Sequence, residues 1–365
     1  MIDMSVLDDI FFMLLYGGVT FLEGVAALYL WLRRANAIAP EVTPPVRLRQ
    51  WATVFLAAMA AGHLLWVFYV FHPSQAIYVM SACADLLLLV IPMSGTLLSM
   101  LQDRHRPVWP IIVALIPAVV LSALCILLDN YSLLVPMQIY CLSMFTLFAV
   151  YMVFAVRSYG RWLRNNYADL EHKELWQSFL VLVVLMLVFF YYGNSNDDRL
   201  FEYIIQACNV LIVALLLWRV ENLQQIGSNT PAEAESPDNS QTTALLSAAK
   251  IGTKLKIHCE DTLLFLQYNL TLSQLAQAIG TNRTYLSQYF ASQGLTFNAY
   301  INGLRIRHFI RLYQEAVSQQ RTVTALQLSS ESGFRSYSTF SAAFKHYTGT
   351  TVTVWMRDAE KTDSV

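Results

Sequence analysis

At 365 residues, with 56% hydrophobic and only 13% charged side chains, the chain departs from ordinary soluble domains, which run near 45–50% apolar and about 25% charged. That balance excludes a chain that faces water along its whole length. The net charge of −1 hides an asymmetry, because residues 245–357 carry 11 Lys/Arg against 4 Asp/Glu. The N-terminus opens on Asp3, Asp8 and Asp9 instead of the positive region of a secretory signal, so the first apolar segment is expected to stay in the mature protein. Cys83, Cys125, Cys141, Cys208 and Cys259 show no C-x-x-C spacing and read as small structural hydrophobes.

In chain order, seven apolar runs are long enough to span a bilayer: 10–32, 51–72, 76–101, 108–128, 136–156, 176–193 and 200–219. Positive residues are retained on the cytoplasmic side of short loops. The first, third and fifth connections hold Arg33, Arg34, Arg47, Arg49, Arg104, Arg106, Arg157, Arg161, Arg164 and Lys173, whereas the opposite side holds Arg199 alone. The expected topology is therefore a multi-pass protein of the bacterial cytoplasmic membrane, N-terminus outside and C-terminus cytoplasmic.

Residues 227–243, GSNTPAEAESPDNSQTT, lack large apolar side chains and read as a flexible linker. The expected domains are a transmembrane domain over 1–222, a disordered linker over 223–244, a soluble domain over 245–357 and a tail over 358–365. The soluble part opens with an expected helix near 245–267, striped by Leu255, Cys259, Thr262, Leu263 and Leu266.

Thr271-Leu-Ser-Gln274 then reads as a capping box. It opens a helix with Leu272, Leu275, Ala276 and Ile279 inward. Gly280 ends that helix, and Thr281 is expected to cap the next, over about 282–292, with Tyr285, Leu286, Tyr289 and Phe290 inward. Small Ala276, turning Gly280 and apolar Leu286 meet the steric needs of a helix-turn-helix. Arg283, Thr284, Ser287 and Gln288 are left outward where a recognition helix meets base edges. The same grammar returns as Ser329, Gly333 and Phe334, followed by a helix over about 337–346 with Phe340 and Phe344 inward. Arg335, Ser336, Tyr337 and Ser338 stand at its exposed start. An apolar run from Phe297 through Tyr300, Ile301, Leu304, Ile306, Phe309, Leu312 and Tyr313 fits one long connecting helix.

The runs LTLSQLAQAIGTNRTYLSQYF, YINGLRI and ESGFRSYSTFSAAFKHYTG make residues 250–357 resemble the C-terminal DNA-binding domain of the AraC/XylS family of bacterial regulators. Three departures stand out. Gly349-Thr-Thr351-Val352 replaces the usual G-x-T-P, Phe309 stands where Ala is common, and 312–325 is longer than usual. The resemblance implies base or phosphate contacts to double-stranded DNA from Arg283, Thr284, Ser287 and Gln288, and from Arg335, Ser336, Tyr337 and Ser338. Lys345, His346 and Arg305 are expected as phosphate contacts or surface charges.

Ionisable groups inside a membrane usually face a bundle interior or cavity. Glu23, His63, Asp85, Gln206 and Asn209 form a candidate signal pocket for a small ligand or protons; the alternative is that they only bind helices together. No span carries the lysine that a retinal Schiff base needs, and neither a metal site nor any cofactor is called for by a recognisable pattern. The expected fold is all-α: a seven-helix transmembrane bundle, a linker, and a soluble domain with two helix-turn-helix motifs. The expected function is one-component signalling, a membrane-anchored DNA-binding transcription regulator and not an enzyme. It would have the lipid bilayer, double-stranded DNA, a small ligand or membrane protein and a second copy in a homodimer as candidate partners. The alternatives are a membrane transporter or enzyme whose C-terminal domain is only autoregulatory or a protein-interaction module, and a bundle that is only an anchor.

Overall fold

A computed structural model gives the architecture. It describes residues 4–171, 173, 175, 199–226 and 250–363, except 34, 38, 39, 41 and 42. The expected span at 176–193 and the expected linker at 227–243 lie outside the described residues. The fold is all-helical, and no strand longer than an isolated bridge occurs among the described residues.

The chain divides into two compact units, Met1–Tyr159 with His172–Ser228, and Gly160–Glu171 with Asn229–Val365. The first contains α1 (Met4–Leu32), α2 (Val46–Phe71), α3 (Gln75–Met100), α4 (Trp109–Leu127), most of α5 (Leu134–Asn166) and α6 (Arg199–Asn222). Among the described residues, six helices here are long and apolar enough to cross a membrane. Their apolar side chains point outward, with Phe21 74%, Trp31 70%, Val70 72% and Leu147 70% exposed. The buried set includes Glu23, His63, Ser81, Gln206 and Asn209. An apolar exterior over a partly polar interior is the pattern that hydrocarbon surroundings favour. Close approach depends on small residues: a Cβ at Gly95 would lie inside the Trp51 ring, and one at Gly62 would strike the Asp85 carboxylate.

One end of this unit is tied by charge. Buried Arg49 pairs with buried Glu221 at 2.8 Å and donates to Asn36 Oδ1 at 3.1 Å. It also donates to the Arg33 carbonyl, while the Ala37 amide donates to Glu221. The chain leaving α6 is pinned as well, Gln225 N–H donating to Thr43 O (2.7 Å) and Ile226 N–H to Gln102 Oε1 (2.8 Å).

Helix α5 outruns its apolar stretch. The expected span ended at 156, yet the helix continues through Arg157, Arg161 and Arg164 to Asn166, because nothing in that segment prevents the backbone ladder from propagating. Its 33 residues measure about 50 Å at 1.5 Å each, well beyond the roughly 30 Å of a hydrocarbon core.

In the second unit the entering segment is helical over 250–255 and becomes a π-helix over Lys256–Glu260. It then turns at Leu263, φ 55°, into a 3-10 turn, Leu264–Leu266. The expected continuous stripe to Leu266 is therefore corrected. The wider π turn shifts the register, so Leu255 and Cys259 are buried, Thr262 and Leu263 are exposed, and Phe265 takes the inward place. Beyond it lie α7 (Leu272–Ala278), α8 (Arg283–Ser292), α9 (Phe297–Ser318), α10 (Ala325–Glu331), α11 (Tyr337–Thr348) and α12 (Val352–Asp363).

Two cores form along α9. Its first half contributes Phe297, Ile301 and Leu304 to a cluster with Leu255, Cys259, Leu270, Leu275, Leu286 and Phe290. Its second half contributes Ile306, Phe309 and Tyr313 to another with Leu328, Phe334, Phe340, Phe344 and Val352. Arg305, expected on the surface, lies at the junction at 1% exposure. It donates from Nε to Phe265 O (2.8 Å) and from Nη2 to Gln267 O (2.7 Å), with its guanidinium 5.5 Å from the Phe334 ring centre. Burial lowers its pKa to about 10, which still leaves it charged at neutral pH. It serves as a cap for the carbonyls of the 3-10 turn, because that turn has no helical successor to satisfy them. The tail expected from 358 is also revised: α12 continues to Asp363, and Trp355 packs on Tyr313 (5.3 Å) and Phe344 (5.6 Å).

Candidate nucleic-acid interface

In the first motif the capping box is formed, Thr271 and Gln274 satisfying one another's backbone amides. Leu272, Leu275, Ala276 and Ile279 are all at most 2% exposed. Gly280 turns the chain at φ 62°, a conformation that costs glycine little. Asn282, not Thr281, caps α8, its Oδ1 accepting from the amides of Thr284 and Tyr285. This correction has a stereochemical basis: the residue with an extended backbone immediately before the first helical position is the one whose side chain can reach those amides. Leu286 and Phe290 face the core, but Tyr285 is 44% exposed, because the three positions just before Leu286 wrap around the outer side of the helix. Thr284 and Gln288 are exposed, and Arg283 and Ser287 half-buried.

In the second motif Thr324 caps α10, accepting from Gln327 N–H at 3.2 Å. Ser329 is buried, Gly333 turns at φ 85°, and Phe334, Phe340 and Phe344 fill the core. Ser336 is the cap of α11: its Oγ accepts from Thr339 N–H (3.3 Å) and lies 3.1 Å from Ser338 Oγ. Arg335, Tyr337, Ser338, Lys345 and His346 are exposed. Arg335 lies over the Tyr268 ring at 5.9 Å, and with Leu326, Gln327, Glu331 and Tyr337 it lines a groove of about 500 Å³ between α10 and the start of α11.

Each motif thus presents the start of its second helix with an arginine beside it, Arg283 at the first helical position and Arg335 just before the cap. Guanidinium forks so placed suit phosphate oxygens or base edges. The sequence reading missed Asn166, Tyr167, Ala168 and Asn298. Asn166 ends α5 and Tyr167 and Ala168 follow it; all three pack on the first motif, Arg283 donating to Asn166 Oδ1 at 2.6 Å and Asn298 to the Ala168 carbonyl at 2.6 Å. No local pattern marks such a long-range contact, so no sequence signal was there to find it.

In the first unit, four of the five residues expected as a signal pocket meet. His63 Nδ1 lies 2.9 Å from Glu23 Oε2 and 3.1 Å from Met59 O. His63 Nε2 lies 3.3 Å from Gln206 Oε1 and 3.4 Å from Asn209 Nδ2. An acceptor and a donor side by side at Nε2 give both the neutral ring and the imidazolium a partner. Tyr16 closes the group, its hydroxyl donating to His63 O at 2.7 Å and its ring standing edge-on to the imidazole at 4.7 Å. Asp85 sits next to this set, accepting from Trp66 Nε1 at 3.3 Å against Gly62.

Residues 275–358, under a quarter of the chain, match a family model described as "Helix-turn-helix domain", the AraC-type helix-turn-helix. No curated protein and no solved structure matches the chain.

Proposed function

From the AraC-type helix-turn-helix domain at residues 275–358, we propose that this chain is a membrane-anchored, sequence-specific, non-enzymatic transcription regulator of the bacterial cytoplasmic membrane, with its DNA-binding domain in the cytoplasm. The observation that carries the reading is the pairing of two helix-turn-helix units on one continuous helix, α9, with an arginine at the first position of one recognition helix and just before the cap of the other. A rod of this kind can present two helices to successive major grooves, about 34 Å apart.

In this reading Arg283, Thr284, Ser287 and Gln288 contact bases or phosphates through α8, and Arg335, Tyr337 and Ser338 do so through α11. Lys345 holds a phosphate. Ser336 positions α11 through its cap, which leaves its hydroxyl less to offer DNA. The residues of the first unit supply the signal: Glu23, His63, Asp85, Gln206 and Asn209 respond to protons or to a small polar ligand, and the response alters what the DNA-binding domain can reach. A homodimer would pair half-sites and strengthen binding.

Genome-wide crosslinking and immunoprecipitation of the intact protein tests this, with an Arg283→Ala, Arg335→Ala double variant beside it. Discrete promoter peaks that vanish in the variant are expected. An intact protein without peaks under any growth condition would overturn the reading.

A further inference from the structure

The last residue of α5 and the segment after it hold the N-terminal edge of the first motif. Arg283 donates from both Nε (3.1 Å) and Nη2 (2.6 Å) to Asn166 Oδ1, and buried Asn166 is oriented by donating to Trp162 O at 2.6 Å. Tyr167 pairs with Thr271 in an antiparallel bridge. Ala168 N–H donates to Leu270 O (3.1 Å), and Asn298 Nδ2 donates to the carbonyls of Tyr167 (3.3 Å) and Ala168 (2.6 Å). Ala168 is fully buried among Leu270, Leu272 and Leu275.

We propose that residues 166–169 are a strap within the chain that competes with DNA for the first helix-turn-helix motif. The inference rests on the DNA-binding reading above. The Nε/Nη2 edge of a guanidinium is one of the forks with which arginine grips a phosphate or the O6/N7 edge of guanine. In Arg283 that edge is spent on a neutral carboxamide at the end of α5. The contact is also replaceable, since a phosphate offers a full negative charge and two oxygens to the guanidinium fork, where the carboxamide offers one neutral oxygen. The rest of the strap is held by backbone pairing at Leu270 and Thr271, by the two Asn298 amide hydrogen bonds and by one alanine methyl. This makes a latch that DNA, or displacement of α5, can open without unfolding the domain.

The bridge itself supplies the test. Residues paired across an antiparallel bridge have Cα atoms about 4.5–5.5 Å apart, within disulfide reach, so a Tyr167→Cys, Thr271→Cys variant of the full chain in lipid nanodiscs can be locked by oxidation and freed by dithiothreitol. The probe is a fluorescent mixed-sequence duplex of about 30 base pairs, long enough for two successive major grooves. The expected result is that the oxidised protein binds at least about tenfold more weakly than the same protein after reduction, the range set by loss of one arginine fork. Prior addition of duplex should also slow formation of the disulfide. Both redox states share any folding cost of the substitutions. Failure of the disulfide to form, or its formation with no change in affinity while reduced and wild-type proteins bind, would overturn the strap and leave DNA binding standing. If the wild-type chain binds neither this duplex nor promoter fragments, the DNA-binding reading fails and takes the strap with it.

Discussion

At the residue scale the four glycines with positive φ are not equivalent, and the difference can be measured. Gly333, at φ 85°, has the backbone of Leu266 where its Cβ would be, whereas Gly349, at φ 79°, has nothing within 4 Å. Gly349→Ala should therefore cost only the left-handed strain, about 1–2 kcal/mol. Gly333→Ala must also push apart the 3-10 turn that Arg305 caps, so about 3 kcal/mol or more is expected, in the class of severe steric substitutions. For a domain near 100 residues that is a Tm loss of about 12–24 °C against about 4–16 °C, readable by thermal unfolding monitored at Trp355. Equal losses would show that the approach of Leu266 is soft. The sequence carried the turn role of Gly333 but not its contact with Leu266, since that depends on a segment more than sixty positions earlier. The same limit explains Arg305. An arginine in a helical run reads as solvated by base rate, and only the uncapped carbonyls of Phe265 and Gln267 make its burial favourable.

At the element scale, α9 contributes its two halves to two separate cores, so a cavity in one should loosen one motif first. Phe309 is fully buried, 4.6 Å from the Phe340 ring and 5.6 Å from Phe344. Truncation of such a phenylalanine typically costs 3–5 kcal/mol. In Phe309→Ala, hydrogen exchange of α11 should accelerate by about 10²-fold or more, with α7 and α8 keeping most of their protection. Equal acceleration in both motifs would mean that α9 makes them one cooperative unit. Elements with strong periodic signals were legible from sequence: six of the seven apolar runs, the capping box at Thr271, and the inward residues of α7. Illegible were the places where an element ends for non-local reasons. The apolar run of α5 stops at 156, but its helix does not, because hydropathy reports the solvent preferred by side chains and says nothing about where the backbone ladder must stop. The π turn at Lys256–Glu260 likewise displaced Leu263 from the stripe that helical periodicity assigned to it.

At the scale of the whole molecule the polar cluster poses a choice between signal element and glue, and the two make opposite demands on charge. If Glu23 and His63 only fasten helices, their hydrogen bonds matter and their ionisation is a cost, since a carboxylate at 0% exposure has lost its water and holds a single imidazole at 2.9 Å in return. Removing both charges while keeping amide donors and acceptors should then be neutral or stabilising. If the cluster reads protons or a charged ligand, the same change removes the variable that it reads. The Glu23→Gln, His63→Gln double variant is expected to keep its abundance and thermal stability, and its C-terminal domain to keep its affinity for duplex DNA, while transcription of the target promoters no longer changes with external pH or growth condition. Measured by promoter fusions beside wild type, an undiminished response in the double variant would assign the cluster to packing and move the search for the signal to the helix ends. A lost response with unchanged stability would separate sensing from fastening, which single substitutions such as His63→Ala cannot do, because they remove packing and charge together.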